Sequence, residues 1–292
     1  MRVFVTGATG WVGSVVVDEL LGGGHEVLGL SRSEEKAAGL AAKGAEVLRG
    51  TLDDLDRLAE AAASADAVIH LAFNHDFSKM AENSEQERRA IEAIGEALIG
   101  TDKPLLITSG LALLAPGQVA TEADMPPRPH PHFPRKNQVA AAALAERGVR
   151  VGVVRLATTV HGMGDPGFMV RLANLAREKG VSAFLDDGAN RWPAVHVSDA
   201  GRLYRLVLEA GAPARAYHAT AEDVPFRAIA EAIGRAQGVP VEPRPREHFG
   251  WFAGFAEADS PASSARTREL TGWEPTGPTL LEDLAQPGYF EV

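Results

Sequence analysis

The stretch Thr6-Gly7-Ala8-Thr9-Gly10-Trp11-Val12-Gly13 decides how this chain folds. It follows residues 2–6, which are rich in β-branched and aromatic side chains, and it precedes residues 11–21, whose apolar positions recur at helical spacing. The glycines therefore lie between a strand and a helix, where they permit a sharp turn, a close approach to the backbone and tight helix packing. The pattern predicts a dinucleotide site whose phosphates meet the first N–H groups of the helix. The residues expected to bind the cofactor there are Gly7, Thr9, Gly10, Trp11, Val12 and Gly13.

The composition excludes several classes of protein. The 292 residues include no cysteine, which excludes disulfides and thiol catalysis and is typical of a reducing cytoplasm. The net charge of −10 argues against non-specific nucleic-acid binding, which needs clustered cations. No apolar run approaches the roughly 18–20 residues of a membrane span, and a strand pattern begins at once, so no signal peptide is expected. We therefore expect a cytoplasmic protein that binds a small molecule and neither nucleic acid nor a membrane.

Strand and helix patterns alternate along the first half of the chain. Six runs predict strands, at residues 2–6, 26–30, 45–50, 67–71, 104–108 and 151–155. Because strands that alternate with helices build a parallel sheet covered on both faces, the sequence predicts an α/β fold of the doubly wound Rossmann type.

The end of the second predicted strand indicates which cofactor is bound. In a dinucleotide fold this position meets the adenosine ribose, where NAD sites carry a carboxylate and a phosphate favours arginine. Ser31 and Arg32 stand here, and the strand end has no Asp or Glu. We therefore expect NADP(H) to be preferred over NAD(H). The alternative is that Arg32 is only a solvated residue at a helix start, with Glu34 and Glu35 close by.

The fourth predicted strand ends at a second position where the dinucleotide is expected. Leu71 and Ala72 are expected to bind it, because a small residue lets it lie against the backbone. His75 follows on a loop at the carboxyl edge of the sheet, where ligands bind in such folds. Either His75 contacts substrate, or this loop is simply solvated.

Five segments occur along the chain in an order that is typical of one protein family. They are TGATGWVG at residues 6–13, VIHLA at 68–72, RLATTVHG at 155–162, VHVSDA at 195–200 and SARTRELTGWEP at 264–275. Together they resemble the extended short-chain dehydrogenase/reductase superfamily, of the NAD(P)-dependent epimerase/dehydratase type. The resemblance runs nearly from end to end of the sequence.

The resemblance implies a division of the chain into two parts. An NAD(P)-binding Rossmann domain is expected over residues 1–160, and the chain is expected to return to it at about 193–220. Residues 161–192 and 221–292 would then form a smaller substrate-binding cap. Such proteins commonly dimerise through their fourth and fifth helices, so the resemblance also implies a homodimer.

Further contacts follow from the resemblance. Thr51 replaces an acidic residue that the family often uses for adenine, so this base is expected to contact either the Thr51 hydroxyl or the backbone of Leu52. His161 replaces a tyrosine near the nicotinamide loop and is expected to contact substrate. Trp192 ends a glycine-bearing stretch that is expected to form a lid, and it too is expected to contact substrate.

The most serious departure from the family pattern concerns the catalytic Tyr-x-x-x-Lys, which is not intact. The three tyrosines are Tyr204, Tyr217 and Tyr289, and none has a lysine four residues later. His132 precedes Lys136 by four residues and follows Ser109 by 23, close to the family's spacing between serine and tyrosine. Pro134 lies between His132 and Lys136, which favours the alternative that His132 lies on a proline-rich loop. His130 and His132 have no partners with metal-ligand spacing, so no metal is expected.

These residues predict a hydride-transfer enzyme. Ser109 is expected to hydrogen-bond a developing alkoxide and Lys136 to bind the nicotinamide ribose. His132, His75, water or the substrate itself would supply the proton. The expected function is NADPH-dependent reduction of a small or medium carbonyl or imine compound. The alternatives are a catalytically silent NAD(P)-binding sensor, or a sugar-nucleotide epimerase or dehydratase.

Overall fold

A computed structural model describes residues 1–125 and 135–291 of the chain. Seven strands form its central sheet in the order β10-β6-β5-β4-β1-β2-β3, and every neighbouring pair is parallel. These strands are β1 (Arg2–Thr6), β2 (Glu26–Ser31), β3 (Glu46–Arg49), β4 (Ala67–His70), β5 (Pro104–Gly110), β6 (Arg150–Leu156) and β10 (Ala216–Ala219). The inner strands are buried on both faces, which explains why they read as apolar runs rather than as alternating patterns. The predicted α/β Rossmann fold is confirmed.

Helices cover both faces of this sheet. They are α1 (Trp11–Gly22), α2 (Glu34–Ala42), α3 (Leu55–Ser64), α4 (Met80–Glu96), α5 (Asn137–Glu146) and α7 (Val197–Glu209). On one face α1 packs against α7 so closely that a Cβ on Gly201 would lie 2.6 Å from Val15 Cγ1. On the other face α4 packs against α5, where a Cβ on Gly95 would lie 2.2 Å from Leu144 Cδ1. Small residues thus set the spacing of both helix layers.

The order of the strands reverses between β1 and β4. Strands β2 and β3 extend the sheet from β1, whereas β5, β6 and β10 extend it from β4. In doubly wound sheets the crevice beyond the carboxyl ends at this reversal is where ligands bind. The glycine stretch at residues 6–13 and the segment at residues 70–72 both lie at this point.

The remaining elements form a smaller body beside the carboxyl edge of the sheet. Its strands are β7 (Thr159–His161), β9 (Arg191–His196) and β11 (Glu222–Pro225) in one sheet, and β8 (Ser182–Phe184) with β12 (Val241–Pro243) in another. Its helices are α6 (Phe168–Lys179), α8 (Phe226–Gln237), α9 (Ala253–Ala256), α11 (Leu280–Leu284) and the 3-10 helix Arg246–Phe252, while α10 (Ala265–Thr271) packs near β10. An aromatic core centred on Trp192, Phe226 and Phe252 holds this body together. The exact bounds of the two parts stay a prediction.

No transmembrane segment is found among the helices of residues 1–125 and 135–291, because none of them is both long and apolar enough to cross a bilayer.

Candidate active site

The glycine stretch folds as a turn in which two positions accept only glycine. Gly7 has φ +69°, and a Cβ there would lie 2.7 Å from the backbone nitrogen of Ala72. A Cβ on Gly13 would lie 1.9 Å from the carbonyl oxygen of Gly7. Gly10 precedes α1 and has no side chain to cap it, so the first N–H groups of α1 remain available to a ligand. This uncapped helix start with bare backbone is an anion-binding cradle.

Trp11 ties this turn to the smaller body. Its indole Nε1 donates a hydrogen bond to the carbonyl oxygen of Val160 at 2.8 Å. A Cβ on Gly162 would lie 3.3 Å from the same indole ring, so the loop after β7 runs close across it. The indole therefore helps to form one wall of the crevice.

A cleft of about 900 Å³ runs along the carboxyl edge of the sheet. Ten of the residues that the sequence assigns to the cofactor line it: Gly7, Thr9, Gly10, Trp11, Val12, Gly13, Arg32, Leu52, Leu71 and Ala72. Ser31 differs, because it is buried and its hydroxyl donates to the carbonyl oxygen of Ser33 at 3.1 Å. The structure thus gives Ser31 a role in shaping the loop rather than a place on the cleft wall.

The end of the cleft beside β2 is cationic. The exposed side chains of Arg32 and Lys36 both line it. Lys36 follows Arg32 by one helical turn, a spacing visible in the sequence, yet sequence analysis missed it. Ser33 caps α2 by accepting a hydrogen bond from the Lys36 N–H, which fixes where this turn begins. Together with the glycine cradle, these residues form the part of the cleft where a dinucleotide fits.

Ser109, at the carboxyl end of β5, lines the other end of the cleft. The side-chain amide of Gln138 donates to Ser109 Oγ at 2.9 Å, and Gln138 Oε1 accepts a hydrogen bond from Arg155 Nε at 3.0 Å. Because arginine can only donate, it fixes the orientation of the Gln138 amide. Ser109 Oγ is therefore an acceptor in this contact, and its own hydroxyl proton is available to the cleft.

Arg135, rather than Lys136, lines the cleft at this end. Its guanidinium lies 4.4 Å from the ring centroid of Phe73 and donates to both carboxylate oxygens of buried Glu87, at 3.0 and 2.6 Å. Lys136 Nζ instead donates to Glu85 Oε2 at 3.0 Å. Lys136 is absent from the wall of this cleft, and its contact with a nicotinamide ribose stays a prediction.

The three histidines considered for the site lie in different places: one on the cleft wall, one in the packed interior and one outside the described residues. His75 lines the cleft beside Phe73, and burial together with Arg135 lowers its pKa, so its imidazole is neutral near pH 7. His161 is buried, and its Nδ1 lies 2.6 Å from Asp283 Oδ2. His132 lies outside the described residues.

Trp192 is also part of the packed interior. It is fully buried in the aromatic core of the smaller body, and its Nε1 donates to the carbonyl oxygen of Phe255 at 3.1 Å. Neither Trp192 nor His161 belongs to the cleft wall. The substrate contacts expected of both are therefore corrected to structural contacts, which satisfy their polar atoms within the fold.

None of the three tyrosines takes the place of the family tyrosine on the cleft wall. Tyr204 is buried with its hydroxyl 2.7 Å from Thr108 Oγ1, and the hydroxyl of Tyr217 accepts from the Ala214 N–H at 2.7 Å. Tyr289 is buried, and its hydroxyl donates to Asp165 Oδ2 at 3.1 Å.

Asp165 is a carboxyl group on the cleft wall that sequence analysis missed. It is only 2% exposed, and its Oδ1 accepts a hydrogen bond from the Gly167 N–H at 2.6 Å. Burial raises the pKa of Asp165 to about 6, so a minor fraction of this carboxyl group keeps its proton near neutral pH. Its partner Tyr289 is 124 residues away in the sequence, which is why no local pattern indicated the pair.

Within the described residues, no three His, Asp or Glu side chains converge to form a metal site. The pair formed by His161 and Asp283 lies next to His196 but is buried in the fold.

Comparison with known proteins assigns the family. A model of the NAD dependent epimerase/dehydratase family matches residues 3–219. The chain belongs to this family. An uncharacterised protein of Schizosaccharomyces pombe is 46% identical over 99% of this chain and 100% of its own length. A ketoreductase of Stigmatella aurantiaca, which is named for a 4-farnesyl-dihydroquinoline-1-oxide, is 27% identical over 90% of this chain and 84% of its own.

Solved structures show the same fold. MoeE5 in complex with UDP-glucuronic acid and NAD superimposes with a TM-score of 0.73 at 23% sequence identity, covering 98% of this chain and 97% of its own. The family resemblance seen in the sequence is confirmed. The protein is therefore an NAD(P)-dependent enzyme of the short-chain dehydrogenase/reductase superfamily.

Proposed function

We propose that this protein is an NADPH-dependent reductase of a small or medium carbonyl or imine compound. The observation that carries the proposal is that one cleft joins the glycine cradle and the cations of Arg32 and Lys36 to Ser109 and Asp165. A binding site for a dinucleotide thus continues into a site with a hydrogen-bond donor and an acid. The ketoreductase of Stigmatella aurantiaca, related over most of the chain, supports this reaction class.

The preference for NADPH rests on charge. Arg32 and Lys36 would hold the 2′-phosphate, while the uncapped start of α1 would hold the pyrophosphate. Arginine binds phosphate through a planar fork of N–H donors, which a ribose hydroxyl does not require. When bound, the nicotinamide supplies the hydride that reduces the substrate carbon.

The residues of the chain then handle the oxygen or nitrogen of the substrate. Ser109 donates its hydroxyl proton in a hydrogen bond to the atom that gains negative charge. The protonated fraction of Asp165 that burial maintains transfers its proton to this atom, and the resulting carboxylate is stabilised by the Tyr289 hydroxyl and the Gly167 N–H. Solvent returns the proton.

In this proposal Asp165 takes the proton-donating role of the missing tyrosine. His75 is a weaker candidate as a cationic acid, because its lowered pKa leaves it without the proton near pH 7. The role expected of His132 stays a prediction, since this residue lies outside the described part of the chain.

One observation favours the sensor as a second function. The lysine that aligns with the family pattern is ion-paired with Glu85 and does not belong to the cleft wall. A protein that binds a dinucleotide and transmits its presence would tolerate this loss.

We further propose that the enzyme acts in the cytoplasm as a homodimer. The absence of cysteine from the sequence supports the location. The dimer is proposed from the family resemblance, in which α4 and α5 would form the contact between subunits.

The experiment that tests the function follows NADPH oxidation with a panel of ketones, aldehydes and cyclic imines. Wild type should turn over at least one class, Ser109→Ala and Asp165→Asn should lose most of this activity, and both variants should still bind NADPH. His132→Phe tests the remaining candidate acid, and we expect it to retain turnover. Tight NADPH binding by wild type with no turnover across the panel would favour the sensor instead.

A further inference from the structure

The outer wall of the cleft, on the side of the smaller body, is aromatic. Phe168 and Trp251 both line it, and Trp251 is 51% exposed. The neighbouring Phe252 is buried and packs against Phe168 with 4.9 Å between ring centroids. Gly250 has φ +56° and ψ −129° within the 3-10 helix, a conformation that favours glycine. This kink directs Trp251 to the cleft while Phe252 anchors the segment in the core.

A cation lies on the face of this exposed indole. The Arg171 guanidinium is centred 4.2 Å from the ring centroid of Trp251, and Arg171 also lines the cleft. Arg171 follows Phe168 by three residues on α6, so the two side chains share one face of the helix. Among the residues that the structure describes, no carboxylate lies within ion-pair distance of Arg171. Within residues 1–125 and 135–291, its side-chain N–H donors are therefore not matched by an anion.

The other cations of the cleft have different partners or positions. Arg135 is neutralised by buried Glu87, and Arg32 and Lys36 lie at the adenosine end. Among the described cations that line the cleft, Arg171 is therefore the one on the wall of the smaller body, away from the cofactor cradle. Asp165 lies on the same side of the cleft, where it accepts hydrogen bonds from the Tyr289 hydroxyl and the Gly167 N–H.

We propose that Arg171 and Trp251 form a subsite for an anionic group carried on an aromatic or otherwise apolar frame of the substrate. A guanidinium matches a carboxylate or phosphate through paired N–H donors, and an indole face packs against a flat apolar group. This inference rests on the proposed reductase function and deepens it, because it defines the substrate as an acidic carbonyl compound. Carboxylate and phosphate share this chemistry, and the test separates them.

Binding is measured first, without turnover, by calorimetry on enzyme saturated with NADP⁺. The probes are 4-oxo-4-phenylbutanoate and its methyl ester, which share the ketone and the ring but differ in charge. The acid should bind at least about tenfold more tightly than the ester, the size expected of a charge-assisted hydrogen bond. Arg171→Gln should remove this difference and Arg171→Lys should restore part of it, while Trp251→Ala should weaken both probes. Competition by benzoate against phenyl phosphate then identifies the preferred anion.

Arg227→Gln is the matched control. Arg227 also lies over an aromatic ring, that of Phe184 at 5.3 Å, but it is ion-paired with Glu231 and does not line the cleft. This variant should keep the preference for the acid unchanged.

Equal affinity for acid and ester, binding of neither, or an unchanged preference in Arg171→Gln would overturn the subsite. The two proposals fail separately. If the ester is reduced as well as the acid, the reductase function stands and the subsite is wrong. If the acid binds through Arg171 but no NADPH is oxidised with any carbonyl compound, the subsite stands and the reductase function is wrong.

Discussion

The difference in the free energy of unfolding between Asp165→Asn and wild type should shift in favour of the variant as the pH rises. Burial raises the pKa of Asp165 from 3.8 to about 6, and the residue is 2% exposed, so solvent screens this effect little. Each change of one in a pKa corresponds to about 1.4 kcal/mol, so ionising Asp165 in the folded protein costs about 3 kcal/mol more than in the unfolded chain.

The direction of the effect follows from proton linkage. Because the folded-state pKa is the higher one, the folded protein binds more protons than the unfolded chain between pH 3.8 and about 6. Its free energy of unfolding therefore falls as the pH rises through this window, and it levels off above. About 1.4 kcal/mol of the total loss occurs between about pH 5 and about pH 8. Asparagine keeps the shape of the side chain and cannot ionise, so the variant escapes this loss.

The measurement is urea unfolding of wild type and Asp165→Asn at these two pH values. The difference between variant and wild type should shift in favour of the variant by about 1.4 kcal/mol on going to the higher pH. Asp259→Asn is the control, because Arg191 lowers the pKa of Asp259 and keeps it ionised at both pH values. Its difference from wild type should stay constant. A constant difference for Asp165→Asn as well would refute the raised pKa, and with it the acid role of this residue.

Three further predictions concern the cofactor and the reaction. Arg32→Gln should raise the KM for NADPH about tenfold and leave the KM for NADH unchanged, because only the 2′-phosphate needs the guanidinium. Steady-state kinetics with both cofactors measures the two KM values. An equal rise in both would contradict the assignment of Arg32 to the phosphate. Gly10→Ala should weaken the binding of both dinucleotides, because the added Cβ would crowd the cradle 3.2 Å from the Gly7 carbonyl oxygen. Gly39→Ala in α2 is the control and should bind normally, since open space surrounds its Cβ. Fluorescence titrations measure both affinities. Ser109→Ala should lower kcat about a hundredfold with little change in KM, as expected when a donor to the developing charge is lost; a loss confined to KM would show a role in binding only.

The sequence was sufficient for the fold because the fold depends on local patterns. Each parallel strand is an apolar run between two helical stretches, and the glycines at residues 7 and 13 stand where a Cβ would collide with neighbouring backbone. The cofactor end of the cleft follows from the same local signals. Lys36 was missed there although its spacing from Arg32 was visible, because it reads equally well as a solvated helix residue.

The substrate end depends on contacts between distant parts of the chain, which no local pattern reveals. Whether Arg135 or Lys136 lines the cleft is decided by Glu87 and Glu85, two carboxylates on α4 about 50 residues earlier. Asp165 owes its raised pKa to burial beneath the C-terminal segment that carries Tyr289.

The packing of the smaller body is likewise decided at long range. Trp192 and His161 were expected at the substrate because they lie near family motifs. Their neighbours Phe255 and Asp283 come from the last forty residues or so of the chain and draw both side chains into the interior.

The most direct test of the central claim follows the hydride itself. NADPH deuterated at the hydride-donating carbon is incubated with the enzyme and a carbonyl substrate found in the panel, and the product is examined by mass spectrometry and NMR. We expect one deuterium on the carbon of the newly formed alcohol or amine, and loss of this label transfer in Asp165→Asn. Oxidation of NADPH without deuterium in the product, or no oxidation with any member of the panel despite bound NADPH, would contradict it.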